Sequence, residues 1–308
     1  MIVANAVGAA IALAAGDLVI LPTETVYGLA ADAANSAAVA RLYDAKGRPK
    51  FNPLIAHVTD TAMATRVARL DARALRLADA FWPGPITFVA PIADVNMVCD
   101  LARAGLDTVA VRAPAHAAAQ AVIEAFGRPV VAPSANRSGR PSATTFVDAV
   151  AETGEAAAVA LDGGGCEIGL ESTVVALLNG PPRLLRPGAV TRAEIEALIG
   201  PLAEADADAA RSPGRLARHY APNAPVRLDA DAPRPGEAYL AFGPAPRGAR
   251  VFNLSPSGDL REAATRLFSL LRAADALAPT AIAVAPIPPD GLGEAINDRL
   301  RRAAGYVG

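Results

Sequence analysis

The chain has 27 arginines and two lysines, and both lysines, Lys46 and Lys50, fall in one short run, Lys-Gly-Arg-Pro-Lys-Phe-Asn-Pro-Leu, that ends at Leu54. A chain so biased toward arginine keeps lysine where a compact point charge serves better than a planar fork. A single phosphate oxygen is such a partner, whereas a guanidinium suits paired oxygens. Lys46 and Arg48 supply one of each, so the stretch Lys46 to Asn52 is predicted to handle phosphate.

Further polar stretches carry compatible chemistry, each with a plainer reading beside it. Pro22-Thr23-Glu24-Thr25-Val26-Tyr27-Gly28-Leu29 offers two hydroxyls, a carboxylate and a phenol at the exit of an apolar run. Such a segment can line a cleft, or it can be a capping turn into the next helix. Ala132 to Ser142 holds three serines, Asn136 and two arginines among Pro and Gly. Its hydroxyls and backbone N–H groups can cradle phosphate oxygens, or it can be a polar surface loop. Asp162 to Gly165 and Gly169 to Thr173 form a glycine-rich turn that either admits a ligand close to the backbone or simply reverses the chain. Leu185-Arg186-Pro187-Gly188 adds an arginine at a strand end. No G-x-x-x-x-G-K-[ST] loop occurs, so any nucleotide must be held by another device. The three histidines, His57, His116 and His219, lack a second ligand at metal-site spacing, and no zinc site is predicted.

Short apolar runs alternating with Ala-rich stretches must position these groups. Strands are predicted at Leu18 to Leu21, Leu54 to Val58, Ile86 to Pro91, Thr108 to Val111, Val130 to Ala132, Ala157 to Leu161 and Thr173 to Leu177. Helices fit Ser36 to Asp44, Thr61 to Leu70, Ala72 to Phe81, Ala115 to Phe126, Thr145 to Thr153 and Thr191 to Ile199. The apolar run from Ala6 to Ala15 lacks the basic segment of a signal peptide and reads as a first helix capped near Asn5 and ended by Gly16. The polar motifs sit where α/β sheets place ligand groups, after or between strands.

A composition shift after Gly200 marks a linker, acidic at first and then rich in Pro, Arg and Gly to Pro225. Beyond it the pattern restarts, with strands near Tyr239 to Phe242 and Ala281 to Ala285 and helices near Leu260 to Ala276 and Leu292 to Ala304. The expected domains are residues 1–205, a linker over 206–225, and a second small α/β domain over 226–308, which at roughly 80 residues can hold its own core. A net charge of −2 gives no global attraction to nucleic acid or anionic lipid, so any polyanion must be bound locally. Cys99 and Cys166 form neither a disulfide framework nor a metal motif, which suits a reducing, cytoplasmic setting. No run is long and apolar enough for a membrane span, and no membrane association is expected.

Taken in order, these motifs resemble the YrdC-type threonylcarbamoyl-AMP synthases in their longer, two-domain form. The resemblance rests on Pro22 to Leu29, Lys46 to Leu54, Phe81-Trp82-Pro83-Gly84-Pro85-Ile86-Thr87, Asp107 to Arg112, Ala132 to Ser142, Gly169 to Val175, Leu185 to Gly188, Ser212-Pro213-Gly214 and His219-Tyr220-Ala221-Pro222. It implies a twisted mixed α/β sheet with a concave, positively charged cleft, plus a small Rossmann-like α/β C-terminal domain joined by a lid-forming linker. The implied reaction condenses L-threonine, bicarbonate or CO2, and ATP to threonylcarbamoyl-AMP with release of pyrophosphate, the first step of tRNA threonylcarbamoyladenosine modification. Separate transfer proteins are the implied partners that pass the product to tRNA.

By the same resemblance Lys46, Arg48, Ser134 and Asn136 form the catalytic polar core. Asn52, Thr108, Ser142, Arg186 and Tyr220 join it to bind ATP, and Thr23, His57, Arg112, Ala132 and Ser172 hold threonine. Ser212, Pro213, Gly214, His219 and Tyr220 belong to the lid, while Lys50 is left as a neighbour on the basic loop. Mg²⁺ is implied with the nucleotide, and no protein-bound metal is expected. Arg215 stands where Met is common and Ala176 where Asp often follows, neither touching the polar core. A related carbamoyl- or adenylyl-transferring enzyme acting on another amine, or an RNA-binding module with weak RNA affinity, are the rival readings. The charge of −2 supports the second poorly.

Overall fold

The computed structural model describes residues 2–3, 5–204, 219–245 and 247–305. The N-terminal part runs β1 (Ile2–Val3), α1 (Ala6–Ala14), β2 (Leu18–Leu21), β3 (Gly28–Asp32), α2 (Ser36–Lys46), β4 (Ile55–His57), α3 (Thr61–Val67), α4 (Ala72–Phe81) and β5 (Ile86–Pro91). It continues through α5 (Asp100–Arg103), β6 (Thr108–Arg112), α6 (Ala117–Phe126), β7 (Val130–Val131), α7 (Phe146–Thr153), β8 (Ala157–Ala160), β9 (Thr173–Ala176), β10 (Arg183–Arg186), α8 (Arg192–Ile199) and β11 (Ala203–Glu204). The C-terminal part holds β12 (Val226–Arg227), β13 (Ala238–Ala241), β14 (Val251–Asn253), α9 (Leu260–Ala276), β15 (Ile282–Val284) and α10 (Leu292–Ala303).

Helix starts follow side-chain caps. Asn5, Asn35, Asp60, Asp71, Thr145 and Asp259 each accept a hydrogen bond from a backbone N–H in the first turn, and Thr191 with Glu194 forms a reciprocal capping box. At these capped helices the predicted starts fall within one residue of the observed ones, whereas α10, which has no side-chain cap, also begins at the predicted Leu292. The four-residue α5 lacks a side-chain cap, and no helix is predicted there.

Eleven strands form one mixed sheet in the order β1-β8-β2-β3-β7-β4-β6-β5-β9-β10-β11. Strand β3 is not among the predicted strands, and it decides between the two readings of Pro22 to Leu29, which leads into a strand antiparallel to β2 rather than into a helix. Its sequence Gly-Leu-Ala-Ala-Asp has no β-branched residue, and its neighbours β2 and β7 on either side make it a strand.

Side-chain alternation sorts the two faces. Leu18, Ile20, Ala56, Phe88, Val111, Val131 and Val175 join the main core with helices α2, α3, α4, α5, α7 and α8. On the opposite face, Val19, Leu21, Ala30, Val130 and Val159 pack under α1 and α6, covering only half of the sheet. The other half of that face carries a small apolar floor of Ile55, Val89, Ala110, Val174, Ala176 and Leu185. The cleft lies at the edge of this floor.

The C-terminal part is a parallel four-stranded sheet in the order β12-β15-β13-β14, as expected of a small Rossmann-like unit. Its core is continuous with the first part, because Val26, Leu170 and Tyr220 are buried among residues of α9 and α10. Gly169 makes this approach possible: at φ 75°, a Cβ on it would lie 2.5 Å from the Thr265 carbonyl oxygen on α9. No helix among the described residues is long and apolar enough to cross a membrane.

Candidate functional site

Strand register brings the predicted groups to one place. His57 pairs with Arg112 across parallel β4 and β6, so both side chains leave the same face at the same edge of the sheet. The cleft there is lined by Thr25, Arg48, His57, Arg112, Ala132, Ser134, Glu171, Ser172, Arg186, His219 and Tyr220, among others.

Lys46 is the last residue of α2, which Gly47 ends in the left-handed conformation at φ 58°. Its buried ammonium donates to the carbonyls of Ser134 and Asn136, tying the end of the helix to the loop that follows β7. Burial, with Arg48 adding to it, pushes the Lys46 amine well below its ordinary range. Arg48 donates to the carbonyls of Asn52 (3.3 Å) and Pro53 (3.1 Å), and burial lowers it to about 10. The side-chain amide of Asn136 donates to the carbonyls of Arg137 and Arg140, while its Oδ1 and both polar atoms of the Asn52 side chain are buried without a partner. Buried polar atoms of this kind cost stability unless a ligand meets them. Lys50 lies exposed on the next turn, so the two lysines separate into one buried and one solvated.

At the other end, Arg112 forms an ion pair with Glu24 at 2.6 Å and donates to Thr25 Oγ1 (2.9 Å) and the Gly84 carbonyl (3.2 Å). Ser172 Oγ lies 2.7 Å from Thr87 Oγ1 and accepts from Arg186 (3.1 Å). Thr23 is turned inward, bonded to Thr25 Oγ1 and the Val26 carbonyl, so it shapes the turn that presents Thr25. Tyr27 does not line the cleft: its phenol donates to the Gly164 carbonyl and accepts from the Gly163 N–H, stapling the glycine-rich turn. That turn is therefore structural at Gly163 to Gly165, while its continuation at Glu171 and Ser172 reaches the cleft. Thr108 shares a strand face with Arg112 but lies four residues away, about 13 Å along β6, and is not part of the cleft wall. Ser142 joins through its hydroxyl, which donates to Glu171. Ser212, Pro213, Gly214 and Arg215 lie outside the described residues; His219 and Tyr220, from the same segment, form part of the wall.

Among the described residues Glu171 is the one carboxylate in this wall. Burial alone would raise it, but Arg299, Arg186 and the Ser142 hydroxyl hold it down to about 2. Glu171, Thr25 and Thr87 lie inside the polar motifs without having been singled out as site residues, and Arg299 had no sequence signal.

Both cleft histidines are neutral. Burial lowers His57 to about 3, with Arg112 adding to it, and His219 to about 3, against a weaker upward pull from Glu171. An unfolded histidine binds a proton near 6.5, so the unfolded chain takes up more protons as pH falls. The stability that depends on these neutral rings is complete above about pH 6.5 and is lost as pH falls toward 3. The urea midpoint is expected to drop between pH 7.5 and pH 5, and to drop less in His57→Gln; a midpoint that is flat over that range contradicts the buried, neutral assignment.

Residues 11–188 match the Sua5/YciO/YrdC family, described as telomere recombination, and residues 190–305 match the C-terminal domain of threonylcarbamoyl-AMP synthase. The chain belongs to this family. A threonylcarbamoyl-AMP synthase of Pyrococcus abyssi is 40% identical over 94% of this chain and 91% of its own length, and that of Bacillus subtilis is 36% identical over 96% and 92%. The crystal structure of P. abyssi Sua5 complexed with L-threonine superposes with a TM-score of 0.91 at 38% identity, covering 98% of this chain and 94% of that one. Within the Sua5/YciO/YrdC family, then, this chain is of the long form, with both its sheets matched.

Proposed function

We propose that this chain is the synthase that condenses L-threonine, bicarbonate or CO2, and ATP to threonylcarbamoyl-AMP and pyrophosphate. One observation carries the reading: Arg48 and Arg186 share a cleft with the Arg112–His57 corner, where a small zwitterion can be held, and Ser134 of the loop that Lys46 ties down lines it beside them. The amine of threonine adds to CO2 and loses a proton, giving a carbamate. A carbamate oxygen then forms a bond to the α-phosphorus as the bond to the bridging oxygen breaks and pyrophosphate leaves. Such a displacement needs alignment and charge neutralisation more than a protein nucleophile.

Lys46, Arg48 and Arg186 offset charge on the nonbridging oxygens, the Asn52 amide offers an unused donor and acceptor to the nucleotide, and the Asn136 amide an unused acceptor. Arg112 has five N–H donors, three of them engaged by Glu24, Thr25 and Gly84, so two remain for the threonine carboxylate. Tyr220 and His219 close the wall over the mixed anhydride and limit its contact with water. Mg²⁺ enters in this reading as part of the MgATP substrate, carried on the phosphate oxygens. The product is an activated acyl donor for separate tRNA threonylcarbamoyl-transfer proteins.

The test is pyrophosphate release from MgATP with threonine or bicarbonate omitted in turn. Both omissions are expected to reduce release to background. Release that ignores both overturns the reading.

A further inference from the structure

Among the described residues Arg299, on α10 of the C-terminal domain, is the largest side chain that is all but completely buried. Its Nε donates to Glu171 Oε2 at 2.8 Å, its Nη1 donates to the Pro187 carbonyl at 3.0 Å and to Asp298 at 2.7 Å, and its guanidinium lies 5.4 Å over the Tyr220 ring. One planar group thus touches three segments that wall the cleft: the Glu171–Ser172 approach to β9, the residue after Arg186, and the His219–Tyr220 segment. Glu171 passes the contact on, since its other oxygen accepts from the Ser142 hydroxyl. Tyr220 needs such support. It sits at φ 61°, a conformation that a bulky residue keeps only when its surroundings hold it. Phe268 of α9, 5.3 Å away, supports the ring from within the same domain.

We propose that Arg299 is a positioning residue for the nucleotide half of the cleft, acting through Glu171 on Ser142 and through its stack on Tyr220. The C-terminal domain then serves the reaction directly, by supplying from behind the cation that sets two nucleotide contacts in place. This rests on the reading of Ser142 and Tyr220 as nucleotide contacts.

A merely structural interdomain ion pair would weaken both substrates together or neither. A positioning role separates them, because Arg299 and Glu171 make no hydrogen bond to Arg112 or His57 among the described residues, and Ser172, beside Glu171, is held by Thr87 and Arg186 instead. In the full chain, Arg299→Met is expected to raise KM for ATP about tenfold or more and to weaken ATP binding measured without threonine, with KM for threonine within about twofold. Glu171→Gln should shift the same constant in the same direction. The pair Glu171→Gln/Arg299→Met, which strands neither charge, should be no worse than the worse single variant, since the two residues act as a unit. If Arg299→Met does not fold, the pair decides by the same criteria. An unchanged ATP constant in the folded variant, or ATP and threonine constants that rise together, overturns the proposal. Tyr220→Ala distinguishes the cause: an ATP constant that moves there but not in Arg299→Met removes the positioning role alone, and one that moves in neither removes the reading of Tyr220 as well.

Discussion

Lys46→Met is expected to lower kcat/KM for ATP by about 10²- to 10³-fold, the loss typical of removing one group that stabilises transition-state charge. The fold should survive it. Methionine keeps most of the buried stem, and what disappears is the ammonium together with its bonds to the Ser134 and Asn136 carbonyls. Two orphaned carbonyls cost about 1–3 kcal/mol each. Against that, the depressed amine of Lys46 shows that folding already works against a desolvated charge, and removing the charge offsets part of the loss. The net change in stability is therefore below the gross ~2–6 kcal/mol of the two carbonyls but of the same order as the ~3–4 kcal/mol lost in rate, so kcat/KM is compared per folded molecule. A second measurement reads the same charge: a bound triphosphate raises the amine back toward its ordinary value, so ATP binding at a pH between the lowered and the restored value should take up protons. Calorimetry in buffers of different ionisation enthalpy measures this uptake, which Lys46→Met should abolish. Turnover near the wild-type level in the methionine variant would remove Lys46 from the reaction.

How far the sequence alone reaches depends on whether the signal is local. Lysine is so scarce here that Lys46 and Lys50 stand out together, and what separates them is their place in the fold, where Lys46 is buried and Lys50 exposed. The apolar run from Thr108 to Val111 correctly marks a strand, and the pairing of His57 with Arg112 follows from the β4–β6 register, which no single segment reveals. Strand β3 was hidden because alanine and glycine carry no strand preference, and only its place between β2 and β7 makes it one. Arg299 was hidden for a stronger reason. Its partner Glu171 lies 128 positions away and Tyr220 is 79 positions away, and in its own helix Arg299 is one of several arginines. Tyr27 illustrates the opposite error: a phenol in a polar motif suggests ligand contact, yet the nearest unsatisfied backbone groups belong to the Gly163–Gly165 turn, and it binds those.

The threonine corner gives the prediction with the largest effect on stability. Arg112→Met strands the Glu24 carboxylate, which is 5% exposed. Burial by itself raises that carboxyl, and Arg112 is what holds it below its ordinary value. Removing one partner of a buried pair costs about 3–5 kcal/mol, so the variant should unfold at markedly lower urea concentration. Glu24 also loses its charge more readily there, which makes the deficit smaller at acid pH than at neutral pH. Pairing the change with Glu24→Gln should restore most of the stability without restoring function, because the donors aimed at the substrate are gone. Charged hydrogen bonds of this kind contribute about 1.5–3 kcal/mol, so threonine affinity in the folded double variant should fall by about 10- to 100-fold. Glu24→Gln alone leaves Arg112 in place through Thr25 and Gly84, and its threonine affinity should change less than in the double variant. Normal threonine binding by the stable double variant would mean that Arg112 only braces the Thr23–Val26 turn, and the carboxylate would then have to be met by the hydroxyls and backbone of that turn instead.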